Sequence, residues 1–375
     1  MRKILHLLLK IFLSIYNLIN IYVVIFKNSK KKKIFFYFPN KDLTLKDLDY
    51  VRNLLQNIEK KYLVIFGHNI NNLKYKNFFF LEQKFLPLVF GVDLFVSNYL
   101  CDNFTTSSKR IYIHHCIYDT PLTGKKNEKK TLNQMANYNF IFLSSNKIIE
   151  SFKKYFKKIN KKVEFVSTGY PRLDYLNKIK KVNNKKSIII APANFVGYPN
   201  FTIMYDILNI MKKINNNFKT NIIFRPHPAN RKYFTNLNNN YYFRDLLKYI
   251  NENKNITLDF SEIYINNYEK SYLMITDLSG TAYTFSFLTN NPVIFISKDE
   301  NQFRKNYYFS NHFKDRKKIG HVIQNINNIN NSIKNIKIKK KFYHKQINSL
   351  KKLRLDHVGS SQKKFEKTIY SIINK

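Results

Sequence analysis

Short runs of β-branched and aromatic residues recur along this chain, separated by stretches with helical patterning, and that alternation restricts the fold more than any other feature. The first series is IFFYF at 34–38, YLVIF at 62–66, DLFVS at 93–97, RIYIH at 110–114, FIFLS at 140–144 and VEFVS at 163–167. The second is SIIIA at 187–191, NIIFR at 221–225, ITLDF at 256–260, YLMIT at 272–276 and PVIFI at 292–296. Nearly continuous apolar runs belong to strands buried on both faces, and connections long enough to hold a helix make such strands parallel. The pattern predicts an α/β protein with two Rossmann-like, doubly wound domains. A basic polar stretch, NKIKKVNNKK at 177–186, divides the two series. We therefore place one domain at 34–180, a second at 181–335, and basic helices without strand character at 336–375.

Ahead of the first strand lies MRKILHLLLKIFLSIYNLINIYVVIF, followed by KNSKKKK at 27–33. Its charge-free part, 11–26, is shorter than the roughly 20 residues that a spanning helix needs, and no small-residue cleavage site follows. Lysines at both ends with aromatics between them suit a helix lying in a membrane interface, where a basic cluster supplies the second membrane signal. Segment 1–33 is thus read as membrane-associating, with a spanning helix or an ordinary packed helix as the alternatives.

Lys and Arg number 65 against 24 Asp and Glu, a formal charge of +41, while 44% of residues are hydrophobic and 16% aromatic. That much apolar surface excludes global disorder. Eight glycines and nine prolines exclude collagen-like and Gly- or Pro-rich architectures and leave Asn and Asp to turn the corners. The charge invites a nucleic-acid partner, yet the excess is Lys scattered along the whole chain without the stacking motifs of RNA-binding modules. We expect no nucleic-acid partner, and attraction instead to an anionic membrane surface or a polyanionic product. Two cysteines, Cys101 and Cys116, are too few for a disulfide framework and are read as free thiols in a reducing compartment.

Ligands of open α/β sheets bind beyond the carboxyl ends of the strands, and here those ends carry His68, Asn98, His115, Ser145, Asn194, His227 and Asp277. Asn98, Ser145 and Asn146 read as helix caps. Histidine is a poor cap, which singles out His115 and His227. In FRPHPANRKYF at 224–234, Pro226 and Pro228 bracket His227, and Arg225 and Arg231 supply planar donors suited to phosphate oxygens. In YLMITDLSGTAYTFSFLTNNPVIFI at 272–296, a strand ends at Asp277, and Ser279, Gly280 and Thr281 open a helix whose unpaired N–H groups favour an anion. Together the two segments point to a pyrophosphate site. Asp47 and Asp49 have the spacing of a metal-bound sugar-nucleotide site but fall in a helical pattern, and His114, His115 and Cys116 lack a second ligand pair, so no metal is assigned.

The ordered set GYPRLDYL at 169–176, IIIAPAN at 188–194, FRPHP at 224–228, ITDLSGTAYTFSFLTNNPVIF at 275–295 and DHVGSSQKKFEK at 356–367 resembles the CDP-glycerol glycerophosphotransferases of teichoic-acid and related cell-envelope synthesis. The resemblance runs from Ile111 to near the C-terminus and is strongest from Gly169 onward. It implies a GT-B fold with two lobes about a cleft, and a peripheral enzyme at the cytoplasmic face of the membrane. The implied reaction moves an alditol phosphate from a CDP-linked donor, a substrate rather than a cofactor, to a hydroxyl of a lipid-linked or glycan acceptor, with release of CMP. The family's first-domain histidine is similar to His115 in IYIHHCIYDTPL, with His114 as the fallback. Cys116, Gly280 and Thr284 depart from the family pattern. Under this reading His115 is the base and His227 the second catalytic histidine. Arg225, Asp277, Ser279, Gly280, Thr281, Arg231 and Asn194 line the donor site. A nucleotide-sugar glycosyltransferase of the same fold and a non-catalytic basic membrane-surface or polyanion-binding protein are the competing functions.

Overall fold

All eleven apolar runs form strands, and two further strands join them at sheet edges. The computed structural model describes residues 2–38, 45–68, 77–106, 108–114, 116–118, 125–157, 162–178, 186–197, 199–235, 241–261, 264–307 and 310–375. The strands are β1 (Lys33–Phe38), β2 (Leu63–His68), β3 (Phe78–Phe80), β4 (Leu94–Ser97), β5 (Lys109–Ile113), β6 (Phe140–Leu143), β7 (Glu164–Ser167), β8 (Ser187–Ile190), β9 (Asn221–Phe224), β10 (Ile256–Leu258), β11 (Ser271–Thr276), β12 (Val293–Ile296) and β13 (Gly320–Ile323). They make two parallel sheets, ordered β3-β2-β1-β4-β5-β6-β7 and β10-β9-β8-β11-β12-β13. In each, the chain starts centrally, winds to one edge, returns and winds to the other, so each sheet has a switch point, between β1 and β4 and between β8 and β11.

The chain divides into two compact units: unit 1 is Met1–Cys116, Lys125–Asp174 and Leu355–Lys375, and unit 2 is Ile117–Gly124 and Tyr175–Arg354. The basic tail after residue 336 is thus shared, with the helix Lys340–Arg354 in unit 2 and the helix Ser361–Asn374 in unit 1. Phe365, Ile369, Ile372 and Ile373 of that last helix join Ile34, Phe36, Phe38, Val64, Phe66 and Val96 in one buried cluster of unit 1. Burying each such side chain contributes roughly 1.5–3 kcal/mol.

The N-terminal helix Arg2–Lys27 belongs to unit 1. Leu18, Ile21 and Ile25 are buried, whereas Leu8, Phe12, Ile15, Ile19, Val23 and Phe26 are exposed at spacings of three or four, which puts them on one outward stripe. Polar bonds fix the helix along its length: Asn17 Nδ2 donates to Phe80 O at 3.0 Å, Ser14 Oγ accepts from Glu82 N at 3.2 Å, and the Tyr22 hydroxyl donates to Leu88 O. By length and composition Ile4–Lys27 could cross a membrane.

Two motifs 180 residues and more apart meet in unit 1. Asp174, in PRLD, accepts from Gly359 N at 2.8 Å, from Ser361 N at 2.9 Å and from the Ser361 hydroxyl, so it caps the last helix from outside. Asp356 Oδ2 accepts from Asn146 N at 2.8 Å and Ser167 Oγ at 2.7 Å. Gly169 lies between them with φ of +76°, and an added Cβ would stand 2.5 Å from Asp356 O and 2.7 Å from the Ser361 Cβ. Both the backbone conformation and the space therefore require glycine. We predict that Gly169→Ala lowers the unfolding free energy by about 2 kcal/mol or more, measured by urea denaturation; a change under about 0.5 kcal/mol would contradict this account of the clasp.

Candidate active site

The carboxyl edge of the sheet in unit 2 gathers most of the residues singled out above. At its switch point, Asp277 follows β11 and is buried. Its Oδ1 accepts from Ala193 N at 2.8 Å and Leu278 N at 2.7 Å, and its Oδ2 from Ile203 N at 3.2 Å. The carboxylate thereby ties the loop after β8 to the turn after β11, and Thr276 Oγ1 adds a 2.6 Å bond to Ala191 O. Burial opposes the charge and outweighs these N–H donors, raising the Asp277 pKa to about 6. Asp277 therefore shapes the site through the backbone around it.

Beyond it the helix Thr281–Thr289 begins at the switch point, with Gly280 in the cap position and no side chain capping its first turn. Ser279 and Thr281 are half-buried, and Thr281 Oγ1 pairs with the Tyr268 hydroxyl. Gly280 has an ordinary φ of −62°, and an added Cβ would meet nothing within 4 Å. The fold does not need glycine here, and open space faces an uncapped helix N-terminus, the arrangement that receives anions.

The β9 loop lies one strand over from β8, roughly 10 Å from β11 at ordinary strand spacing. His227 is half-buried and does cap its turn: Nδ1 accepts from Ala229 N at 3.2 Å, at the start of the short turn Pro228–Asn230. The premise that histidine escapes a capping role thus fails for this residue. With Nδ1 as acceptor, the neutral ring carries its proton on Nε2, a donor suited to a phosphate oxygen. Arg225 is engaged elsewhere: its Nη1 donates to Asp259 Oδ2 at 2.6 Å and Ser261 O at 2.9 Å, and its guanidinium stands over the Tyr264 ring at 5.3 Å. Burial opposes ionisation of Asp259, but the bond from Ser261 and the Arg225 charge hold its carboxyl below the usual range. Arg225 therefore orients the loop. Arg231 is exposed, with its guanidinium 5.4 Å from the Phe260 ring centre. Asn194 Oδ1 accepts from Val196 N at 3.1 Å and closes its own turn.

His115, and Thr120 and Pro121 after it, lie outside the described residues, as does the side chain of Asp47 and that of Asp49. Ser145 caps its helix as expected, accepting from Ile148 N at 3.3 Å. Cys101 and Cys116 are free thiols, and among the described residues no cluster of three His, Cys, Asp or Glu is placed to hold a metal ion.

Sequence reasoning passed over two residues of unit 2. His312 is buried beside the backbone of Ser279, and burial, with the nearby Arg316 charge, pushes its pKa down to about 3, so it stays neutral. Tyr118 is fully buried, donates to Asp315 Oδ2 at 3.1 Å and packs on Tyr283 with ring centres 4.2 Å apart. Asp315 also accepts from Arg354 Nε at 2.7 Å. An isolated His or Tyr between unremarkable neighbours gives no sequence signal of such burial.

Residues 23–363 match the family described as CDP-Glycerol:Poly(glycerophosphate) glycerophosphotransferase. The chain belongs to this family. It is accordingly a transferase of the CDP-glycerol glycerophosphotransferase type, as its motifs imply. No curated protein matches the sequence. Among solved structures, that of the wall teichoic acid polymerase TagF is similar with a TM-score of 0.64 at 16% identity, covering 92% of this chain and 89% of that one. A TagF variant soaked with CDPG gives a TM-score of 0.61 at 15% identity, over 92% and 88% of the two chains. The Staphylococcus aureus MnaA–UDP structure gives 0.61 at 14% identity, over 92% and 97%. These likenesses establish the GT-B-like α/β fold.

Two outcomes test the unit 2 site of this transferase. Gly280→Val should leave the melting temperature within a few degrees, because the side chain enters open space, while raising the donor KM at least about tenfold if phosphate approaches there. Asp277 has a folded pKa above its unfolded value, so its contribution to stability is fully present below about pH 4 and is lost as pH rises through about 6. The stability of wild type relative to Asp277→Asn should fall across that window in urea titrations; a flat difference would contradict the buried-carboxylate assignment.

Proposed function

We propose that this enzyme transfers glycerol phosphate, or a related alditol phosphate, from a CDP-linked donor to a hydroxyl of a membrane-associated cell-envelope acceptor and releases CMP. The observation that carries the reading is the uncapped helix N-terminus at the switch point of unit 2, with Gly280 open before it. The donor diphosphate sits on the N–H groups of residues 279–281 and their hydroxyls, with Arg231 and the Asn194 turn beside it and Asp277 and Arg225 holding the loops that shape it. His227 offers Nε2–H to the oxygen that leaves with CMP. His115 takes the proton of the acceptor hydroxyl as it attacks the phosphorus distal to cytidine, a general-base task that suits an imidazole. The scheme calls for no cofactor, since the CDP-linked donor is a substrate.

Location at the cytoplasmic face of the membrane is part of the proposal. A peripheral attachment is supported by the outward apolar stripe of the N-terminal helix, by exposed Leu88 and Phe90, and by the lysines at 27 and 30–33. The bonds from Ser14, Asn17 and Tyr22 to unit 1 favour a helix lying along the domain over one leaving it to span.

Purified protein given CDP-glycerol and a lipid-linked acceptor should release CMP, and His227→Ala should lower kcat by roughly 10²–10⁴-fold. Absence of CMP with every CDP-alditol tried, or release of UDP from nucleotide sugars instead, rejects the assignment. In cell fractions, alkaline carbonate should strip the protein from membranes; resistance to it would show a spanning helix.

A further inference from the structure

Unit 2 holds a concave surface lined by none of the residues placed at the donor site above. It has a volume of about 850 Å³, and its wall includes Glu300, Arg304 and Lys305 from the helix Glu300–Tyr307 and Lys314, Arg316 and Lys317 from the helix Asn311–Ile319. Arg316 is the buried floor: its Nη2 donates to Glu300 Oε1 at 2.7 Å and its guanidinium lies 4.3 Å from the Phe313 ring centre and 4.6 Å from that of Phe303. This pair neutralises the single carboxylate of the group, and Arg316 Nη1 has no hydrogen-bond partner among the described residues. Four exposed cations remain, Arg304, Lys305, Lys314 and Lys317, and none forms an ion pair among the described residues.

A lysine-rich composition scatters positive charge everywhere, so lysines alone say little. Arginine is another matter: it accounts for ten of the 65 basic residues, and two of those ten line this groove. Its place in the fold is equally specific. Gln324, just past β13, lines the groove, so it opens at the carboxyl edge of the sheet. In the order β11-β12-β13 that is roughly 10 Å along the edge from the turn that carries residues 277–281. Among the described residues of the wall Phe313 is the aromatic, and the Arg316 guanidinium lies against its ring.

We infer that this groove holds a phosphodiester polymer without bases, the product chain of the same enzyme, and keeps it beside the donor site between transfers. The inference rests on the transferase reading but is tested by binding alone, which needs no turnover. The probe is long-chain inorganic polyphosphate on the full-length protein, with Kd measured against salt. Arg304→Glu with Lys314→Glu and Lys317→Glu should weaken binding at least about tenfold and flatten the salt dependence. The control Lys340→Glu with Lys341→Glu and Lys345→Glu, the same charge change on exposed residues of the helix Lys340–Arg354, should weaken it less than about threefold. Equal losses in the two variants would overturn the inference, as would tighter binding of single-stranded RNA than of polyphosphate that the groove variant abolishes. Should the triple reversal not fold, Arg304→Gln with Lys317→Gln gives the same comparison with a smaller change. A wild type that binds polyphosphate through the groove yet releases no CMP would sink the transferase assignment and leave the groove standing.

Discussion

Where β8 and β11 part company, two loops leave the sheet with backbone N–H groups that no strand can satisfy, and the Asp277 carboxylate collects three of them. The rest of the unit 2 site depends on this arrangement. A neutral side chain of the same shape offers one acceptor oxygen where the structure uses two, and a smaller one leaves buried donors unpaired at a cost of about 1–3 kcal/mol each. Holding a charge in a dry place has its own cost, visible in the pKa raised to about 6. Neutral pH lies above that value, where the carboxylate is the prevailing form. The carboxylate directs its charge to the protein's own amides, and the first turn of the neighbouring helix has no side-chain cap.

The arginine next to that turn is spent on the protein itself. Arg225 follows β9 directly, yet Asp259 and the Ser261 carbonyl hold its Nη1. What the arginine provides is a fixed loop, on which His227 accepts the Ala229 N–H and thereby turns its Nε2 into the donor. Unit 1 uses carboxylates in the same way: Asp174 and Asp356 consume amides and hydroxyls of segments remote in sequence. In a chain of charge +41 such acidic residues act as internal fasteners, since a carboxylate is the strongest acceptor available for orphaned N–H groups.

Much of this was legible in the sequence because strands buried on both faces announce themselves as unbroken apolar runs, and each of the eleven became a strand. The two strands that escaped notice are edges. Phe78–Phe80 has three residues, too few to establish a period, and Gly320–Ile323 begins with a glycine and a histidine. Glycine is obligatory there, as a Cβ would fall 1.8 Å from Val293 O, but sequence offers no way to see a neighbouring strand's carbonyl. At the site, the residue types and their order were recoverable and their partners were not. Nothing local distinguishes an arginine aimed at phosphate from one bonded to a carboxylate 34 residues away. The pairing of Asp174 with Gly359 spans 185 positions, so the motifs containing them read as two signatures when they form one clasp.

A chain written mostly in Lys, Asn, Ile, Phe and Tyr also teaches where to look. Residues that the composition favours occur everywhere and carry little information, while residues that it disfavours are retained only where chemistry or sterics demand them. Gly169 and Gly320 stand where any Cβ would collide with backbone, and Gly280 stands where no contact requires it. Position 280 is the cap of the helix Thr281–Thr289, and the space before it is open. The same logic ranks the cations: Arg316 and Arg354 sit in buried ion pairs that a lysine's single ammonium would serve less well. Charge count alone would have spread attention over 65 basic residues; scarcity narrows it to a handful of positions.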